Sequence, residues 1–88
     1  MPFRSIIWDL DDDPDGNVQH CALHGVTQDE IEEVFQNLTD ADISRSSGRP
    51  VVFGDTSGGR HLMVVYEEID ADTVYPITVY DVPRRHQP

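Results

Sequence analysis

The spacing of hydrophobic and polar positions divides the chain into a helical part and a stranded part. Ile31, Val34, Phe35 and Leu38 recur at i, i+3, i+4 and i+7, one apolar stripe of an α-helix. Ahead of them, Thr27 stands three residues before Glu30, the spacing of a capping box, and Val26 and Ile31 hold the positions of a hydrophobic staple. Asp29, Glu30, Glu32 and Glu33 load the first turns with negative charge, where the helix dipole favours it. These features predict a helix over residues 28–37. A shorter helix is expected over 17–24, with Val18, Cys21 and Ala22 inward and Gly25 as its C′ glycine. Before it, residues 3–10 (FRSIIWDL) are β-branched and aromatic and read as a strand. DDDPDG at 11–16 reads as a turn.

From Asp40 onward the period shortens. Strands are expected at 41–45, 49–54, 60–69 and 73–82, with TSGG at 56–59 as a hairpin loop and 70–72 as a second turn. Pro76 directs the last strand towards an edge or a bulge, and the tail from 83 to 88 is expected to fray. The pattern implies an α+β fold: two N-terminal helices packed on one face of an antiparallel β-meander, with a first strand before the helices. With 88 residues and no repeat or linker, the chain is read as a single domain spanning 1–88.

Composition changes this picture in one respect. Hydrophobic residues at 38% suit a folded protein, and no apolar run approaches the ~20 residues of a membrane span. The N-terminal MPFRSII lacks a secretory signal pattern, so a cytoplasmic location is expected. The single cysteine, Cys21, excludes an internal disulfide and reads as a small buried hydrophobe. Charge is the unusual feature, with 17 acidic residues against 6 basic ones and a net charge of −11. All the basic residues are arginine (Arg4, Arg45, Arg49, Arg60, Arg84 and Arg85) and lysine is absent. Such a surface repels a phosphate backbone, which is normally bound by Lys and Arg replacing its counterions. It keeps a protein soluble by self-repulsion, or it meets a basic partner such as an antitoxin or a ribosomal surface.

Several constellations carry candidate chemistry. Asp11, Asp13, Asp15 and Gly16 fit the opening of a calcium loop, but Ala22 stands where the bidentate glutamate belongs, which favours a solvated turn. The Asp9-x-Asp11 pair after an apolar strand suits a phosphotransferase loop, yet the parallel βαβ units of that fold are missing. His20 and His24 share a helix face at a metal-ligand spacing, without a third ligand or the glutamate of HExxH. Arg49, Arg60-His61 and Arg84-Arg85-His86 fall at strand ends, where arginines are usually solvated but here would form the only phosphate-friendly patch if they converged. Tyr66, Tyr75 and Tyr80 fall on the same strands, as packing residues or as stacking and proton-transfer groups. No metal and no cofactor are expected.

Trp8-Asp9, then His24-Gly25-Val26-Thr27 with Glu30, Val34 and Phe35, resemble the WD…HGVS/T…E…VF signature of BrnT-type toxins. Gly59-Arg60…Val64-Val65 is similar to that family's GR…VV strand, and residues 77–85 to its closing strand and basic end. The resemblance implies a RelE-like ribonuclease of a type II toxin–antitoxin pair, held inactive by an antitoxin and independent of metal. Arg60, Arg84 and Arg85 would then stabilise the pentavalent phosphate, with Tyr80 or His61 as acid/base and Arg49 and Tyr66 contacting RNA. The chain differs from the family pattern at Leu23, where lysine is common, and at Tyr80, which takes the arginine position of the family's alanine-arginine pair and is followed by Asp81. DDDPD is extra, and the basic C-terminal helix is reduced to a short tail. These differences, with the net charge of −11, imply a second reading: a catalytically degenerate, acidic protein-interaction module of the same fold.

Overall fold

The computed structural model describes residues 5–83. Its elements are β1 (Ser5–Ile6), α1 (Asn17–Leu23), α2 (Gln28–Gln36), β2 (Leu38–Ile43), β3 (Pro50–Asp55), β4 (His61–Asp70) and β5 (Thr73–Asp81). The capping box forms as its spacing dictates. Thr27 Oγ1 accepts the Glu30 N–H at 3.2 Å, and the Glu30 carboxylate accepts the Thr27 N–H at 3.0 Å. The flanking Val26 and Ile31 are fully buried, completing the staple. Beyond the end of α1 stands Gly25, whose φ of 75° is the left-handed value expected of a C′ glycine. Among the described residues no helix is long and apolar enough to cross a membrane.

The sheet has five strands in the order β1-β5-β4-β3-β2. β2 to β5 form the expected antiparallel meander, but β1 pairs with β5 in parallel, so the sheet is mixed. The first strand is also shorter than its composition suggests. It pairs only through Ser5 and Ile6 with Thr73 and Val74, and Pro76 two residues later has no N–H to extend a ladder. Residues 3 and 4 of the expected strand, and the tail from 84 to 88, lie outside the described residues. Pro76 does accompany a bulge: Val65 pairs with Thr78 but Tyr66 with Pro76, which leaves Ile77 as the extra residue. β2 begins at Leu38, earlier than the expected start at 41, because α2 ends at Gln36 and turns directly into the sheet.

Both helices cover one face. Ile31, Val34 and Phe35 from α2, with Cys21 and Val26, meet Val52, Leu62, Val64, Tyr66, Val74 and Val79 in a single core. Each large apolar side chain buried there contributes about 1.5–3 kcal/mol of transfer free energy. The end of α2 lies directly against β3 at Gly54, where an added Cβ would sit 2.7 Å from the Val34 carbonyl oxygen. Ala22, expected inward, is exposed, because α1 turns Cys21 and Asn17 to the protein instead.

Asn17 is the polar anchor of this arrangement and is 3% exposed. Its amide nitrogen donates 2.9 Å bonds to the carbonyls of Ile7 and Pro76, so one side chain joins the first segment to the bulge in β5. Asp9 and Asn17 also bond reciprocally: the Asp9 N–H donates to Asn17 Oδ1, and the Asn17 N–H to Asp9 Oδ2, each at 2.9 Å. The DDDPDG turn is therefore closed off at its base. Tyr75 donates to the same Asp9 carboxylate at 2.5 Å.

Candidate functional site

Arg60 follows the glycine turn and reaches over the helix-covered side of the sheet. Its Nε and Nη2 donate to the two oxygens of Asp81 at 3.0 and 2.6 Å, a bidentate pair. Its Nη1 donates to the Gly25 carbonyl at 2.8 Å and to the Glu30 carboxylate at 3.1 Å. The hydrogen bond from Arg60 holds the Asp81 carboxyl below the usual carboxylate range, and Asp81 and Glu30 raise the guanidinium in return. Glu30 thus serves the capping box and the arginine together. A guanidinium has five N–H groups, and nearly all of those on Arg60 are committed within the chain. In this geometry Arg60, just before β4, ties the turn between α1 and α2, α2 itself and the end of β5 together.

The other residues expected at the site separate. Tyr66 points into the core, 7% exposed, with its ring edge-on to Phe35 at 5.5 Å, so it offers no platform to a nucleobase. Burial raises its hydroxyl above the ordinary tyrosine value, with a smaller contribution from Glu68. His61 points to the opposite face from Arg60, as adjacent strand positions must. It is nearly buried, its Nδ1 is 2.8 Å from Asp55 and its ring stacks on Phe53. Arg84 and Arg85 lie outside the described residues. Arg49 and Arg60 do not share a patch, contrary to the convergence expected of the strand-end arginines. They stand at opposite ends of the β3–β4 hairpin and on opposite faces of the sheet.

On the face away from the helices, Arg49 and Tyr80 do come together. They line one groove of about 370 Å³ whose floor is Met63, Val65 and Ile77 and whose rim is the turn carrying Ser44, Ser46 and Ser47. Tyr80 is 42% exposed, and among the described residues Arg49 makes no ion pair. The turn is fixed by backbone bonds from Ser44 N–H to the Arg49 carbonyl and from Gly48 N–H to the Ser44 carbonyl. Gly48, at a φ of 73°, supplies the left-handed residue it needs.

His20 and His24 meet this groove from the side. Their helical spacing places both Nε2 atoms near the Thr78 hydroxyl, at 3.1 and 3.5 Å, and sets the His24 ring edge-on to Tyr80 at 5.1 Å. The shared neighbour of the two histidines is therefore a hydroxyl. Among the described residues no group of three or more His, Cys, Asp or Glu side chains is placed to hold a metal ion. Sequence reasoning passed over the serine turn and Thr78. The available signal was SRSSGR at 44–49, hydroxyls interleaved with two of the six arginines. The chain matches no family model, no curated protein and no solved structure.

Proposed function

We propose that this chain is a small acidic interaction module with a BrnT/RelE-like layout, which docks a basic protein partner and does not cleave RNA through Arg60. The observation that carries the reading is the Arg60 clamp. A guanidinium bound to two carboxylates and a carbonyl is neutralised and has no fork left for a pentavalent phosphate. Charge supplies the positive side of the argument. The end of the β4–β5 hairpin exposes Glu67, Glu68, Asp70 and Asp72 within six residues, with Ile69 half-exposed among them. Backbone N–H donation from Asp72 holds the Asp70 carboxyl below the usual carboxylate range. An arginine-rich segment of antitoxin type fits this hairpin end, steered in by the net charge of −11.

The test is binding of an arginine-rich peptide and of a single-stranded RNA, each measured at low and physiological salt, alongside an RNA-cleavage assay. The peptide should bind and weaken as salt rises, Glu67→Lys/Glu68→Lys should reduce that binding, and the RNA should remain intact. RNA cleavage that disappears in Tyr80→Phe would reject the module in favour of a nuclease. That second reading has its own support in the neighbouring Arg49, Tyr80 and His24.

A further inference from the structure

We propose that the groove between the serine turn and β5 binds a nucleoside monophosphate, with the phosphate on Arg49 and the Ser46–Ser47 turn and the base on Tyr80. The site is separate from the acidic hairpin end and stands or falls independently of the partner reading.

Three features of the groove select this chemistry. The first is charge. Arg49 lines the groove with its guanidinium unpaired among the described residues, and Arg45 is exposed on the same turn. This is where the described part of the chain holds cations free of carboxylates, since Arg60 is bound to Glu30 and Asp81. The second is the donor set. Ser44, Ser46 and Ser47 present hydroxyls beside that guanidinium, and a phosphate monoester offers three strong acceptor oxygens to them. The hydroxyls are held in place by the turn itself: Ser44 and Ser46 lie 3.2 Å apart, and Ser47 Oγ accepts the Arg49 N–H at 3.3 Å. The third is the body of the site. Met63 and Ile77 give an apolar floor, and the Tyr80 ring, braced edge-on by His24, gives a flat stacking surface.

Size and charge together decide between a mononucleotide and a polymer. A volume of about 370 Å³ is at the small end of the ~300–1,000 Å³ typical of ligand pockets, which suits one nucleotide. A long RNA would extend across a surface of net charge −11, where repulsion accumulates with each phosphate. A single nucleotide senses mainly the charges within the screening length, about 8 Å at physiological salt, and the lining of the groove carries Arg49 and no carboxylate.

The test is titration of the chain with uridine monophosphate, uridine and inorganic phosphate separately, by calorimetry and by backbone amide NMR shifts. Uridine monophosphate should bind more tightly than either fragment and move the amides of residues 44–49 and of Met63 and Tyr80. Losing a charge-assisted hydrogen bond should make Arg49→Gln bind about ten-fold or more weakly. Tyr80→Ala should weaken the nucleotide and the nucleoside while leaving inorganic phosphate unchanged. Both side chains are solvent-exposed, so both variants should melt close to the parent, which separates lost binding from lost folding. The proposal is overturned if the nucleotide binds no better than inorganic phosphate. It is overturned equally if Arg49→Gln binds as the parent does, or if the shifts fall outside the groove.

Discussion

Replacing Arg60 with methionine keeps most of the apolar stem and removes every charged bond of the clamp, so it measures what the clamp contributes to stability. Asp81 is 58% exposed, and its pair with Arg60 is screened by water; such pairs contribute about 0.5 kcal/mol. Glu30 is 23% exposed, and the Arg60 side chain 29%, so the bonds to Glu30 and to the Gly25 carbonyl are discounted to about 1 kcal/mol each. The sum is about 2–3 kcal/mol, which for a domain of this size lowers the melting temperature by about 10–20 °C. Urea and thermal unfolding can be followed through Trp8, the one tryptophan, whose indole N–H donates to Glu32 at 3.2 Å. Salt provides a second arm. At about 1 M salt the screening length shrinks to ~3 Å, and the gap between parent and variant should narrow because only the parent has the clamp to lose. A melting shift smaller than about 3 °C, with a gap indifferent to salt, would falsify the structural role given to Arg60 and return it to the pool of catalytic candidates.

Three further outcomes are expected. Gly54→Ala should lower the urea midpoint by the equivalent of about 1–3 kcal/mol, because its Cβ would press on the carbonyl oxygens of Val34 and Asn37; an unchanged midpoint would mean that α2 can shift freely. Tyr75 is pushed up from 10 to about 12, first by its bond to the Asp9 carboxylate and then by burial. The unfolded chain therefore releases this proton before the folded one, and stability should fall as pH rises from 10 to 12. Tyr75→Phe should flatten that fall in pH-dependent urea titrations, and an identical slope in the variant would count against the Asp9 bond. On β2, one of the two edges of the sheet, the N–H groups of Ala41 and Ile43 are bonded by the carboxylates of Asp40 and Asp42. Asp40→Ala/Asp42→Ala should free those donors and promote self-association by sedimentation, whereas a purely monomeric variant would show the edge to be guarded otherwise.

How much of this could be read from the chain depends on how far each signal reaches. The capping box, the staple and the C′ glycine at Gly25 are set by residues within five positions of one another, and each appears where the spacing places it. The bulge at Pro76 was legible for the same reason, because a missing N–H is a local fact. The faces of β4 were not. Leu62 to Tyr66 is apolar at every position, so alternation cannot tell inside from outside, and Tyr66 entered the core rather than a binding surface. The destination of Arg60 was equally hidden, since its partner Asp81 is 21 residues away on another strand. Asn17 illustrates the limit most sharply: a polar residue at a helix start looks like a solvated cap, yet one of its bonds runs to a carbonyl 59 residues distant. The groove failed to stand out because SRSSGR has the composition of an ordinary surface turn.

The reciprocal bracket between Asp9 and Asn17 gives the intervening acidic turn an unusual freedom. The bracket joins the ends of the turn. Within it Gly16 is buried as the cap of α1 and the Asp11 carbonyl accepts from Gln19 at 2.9 Å, so the exposed Asp12, Pro14 and Asp15 are the part that hangs from the fold as a pendant. Lengthening such a pendant costs only loop-closure entropy, about 0.6 kcal/mol for each doubling. This corner is therefore the place to graft a reporter, an epitope or a metal-binding peptide while leaving the clamp, the core and the groove untouched.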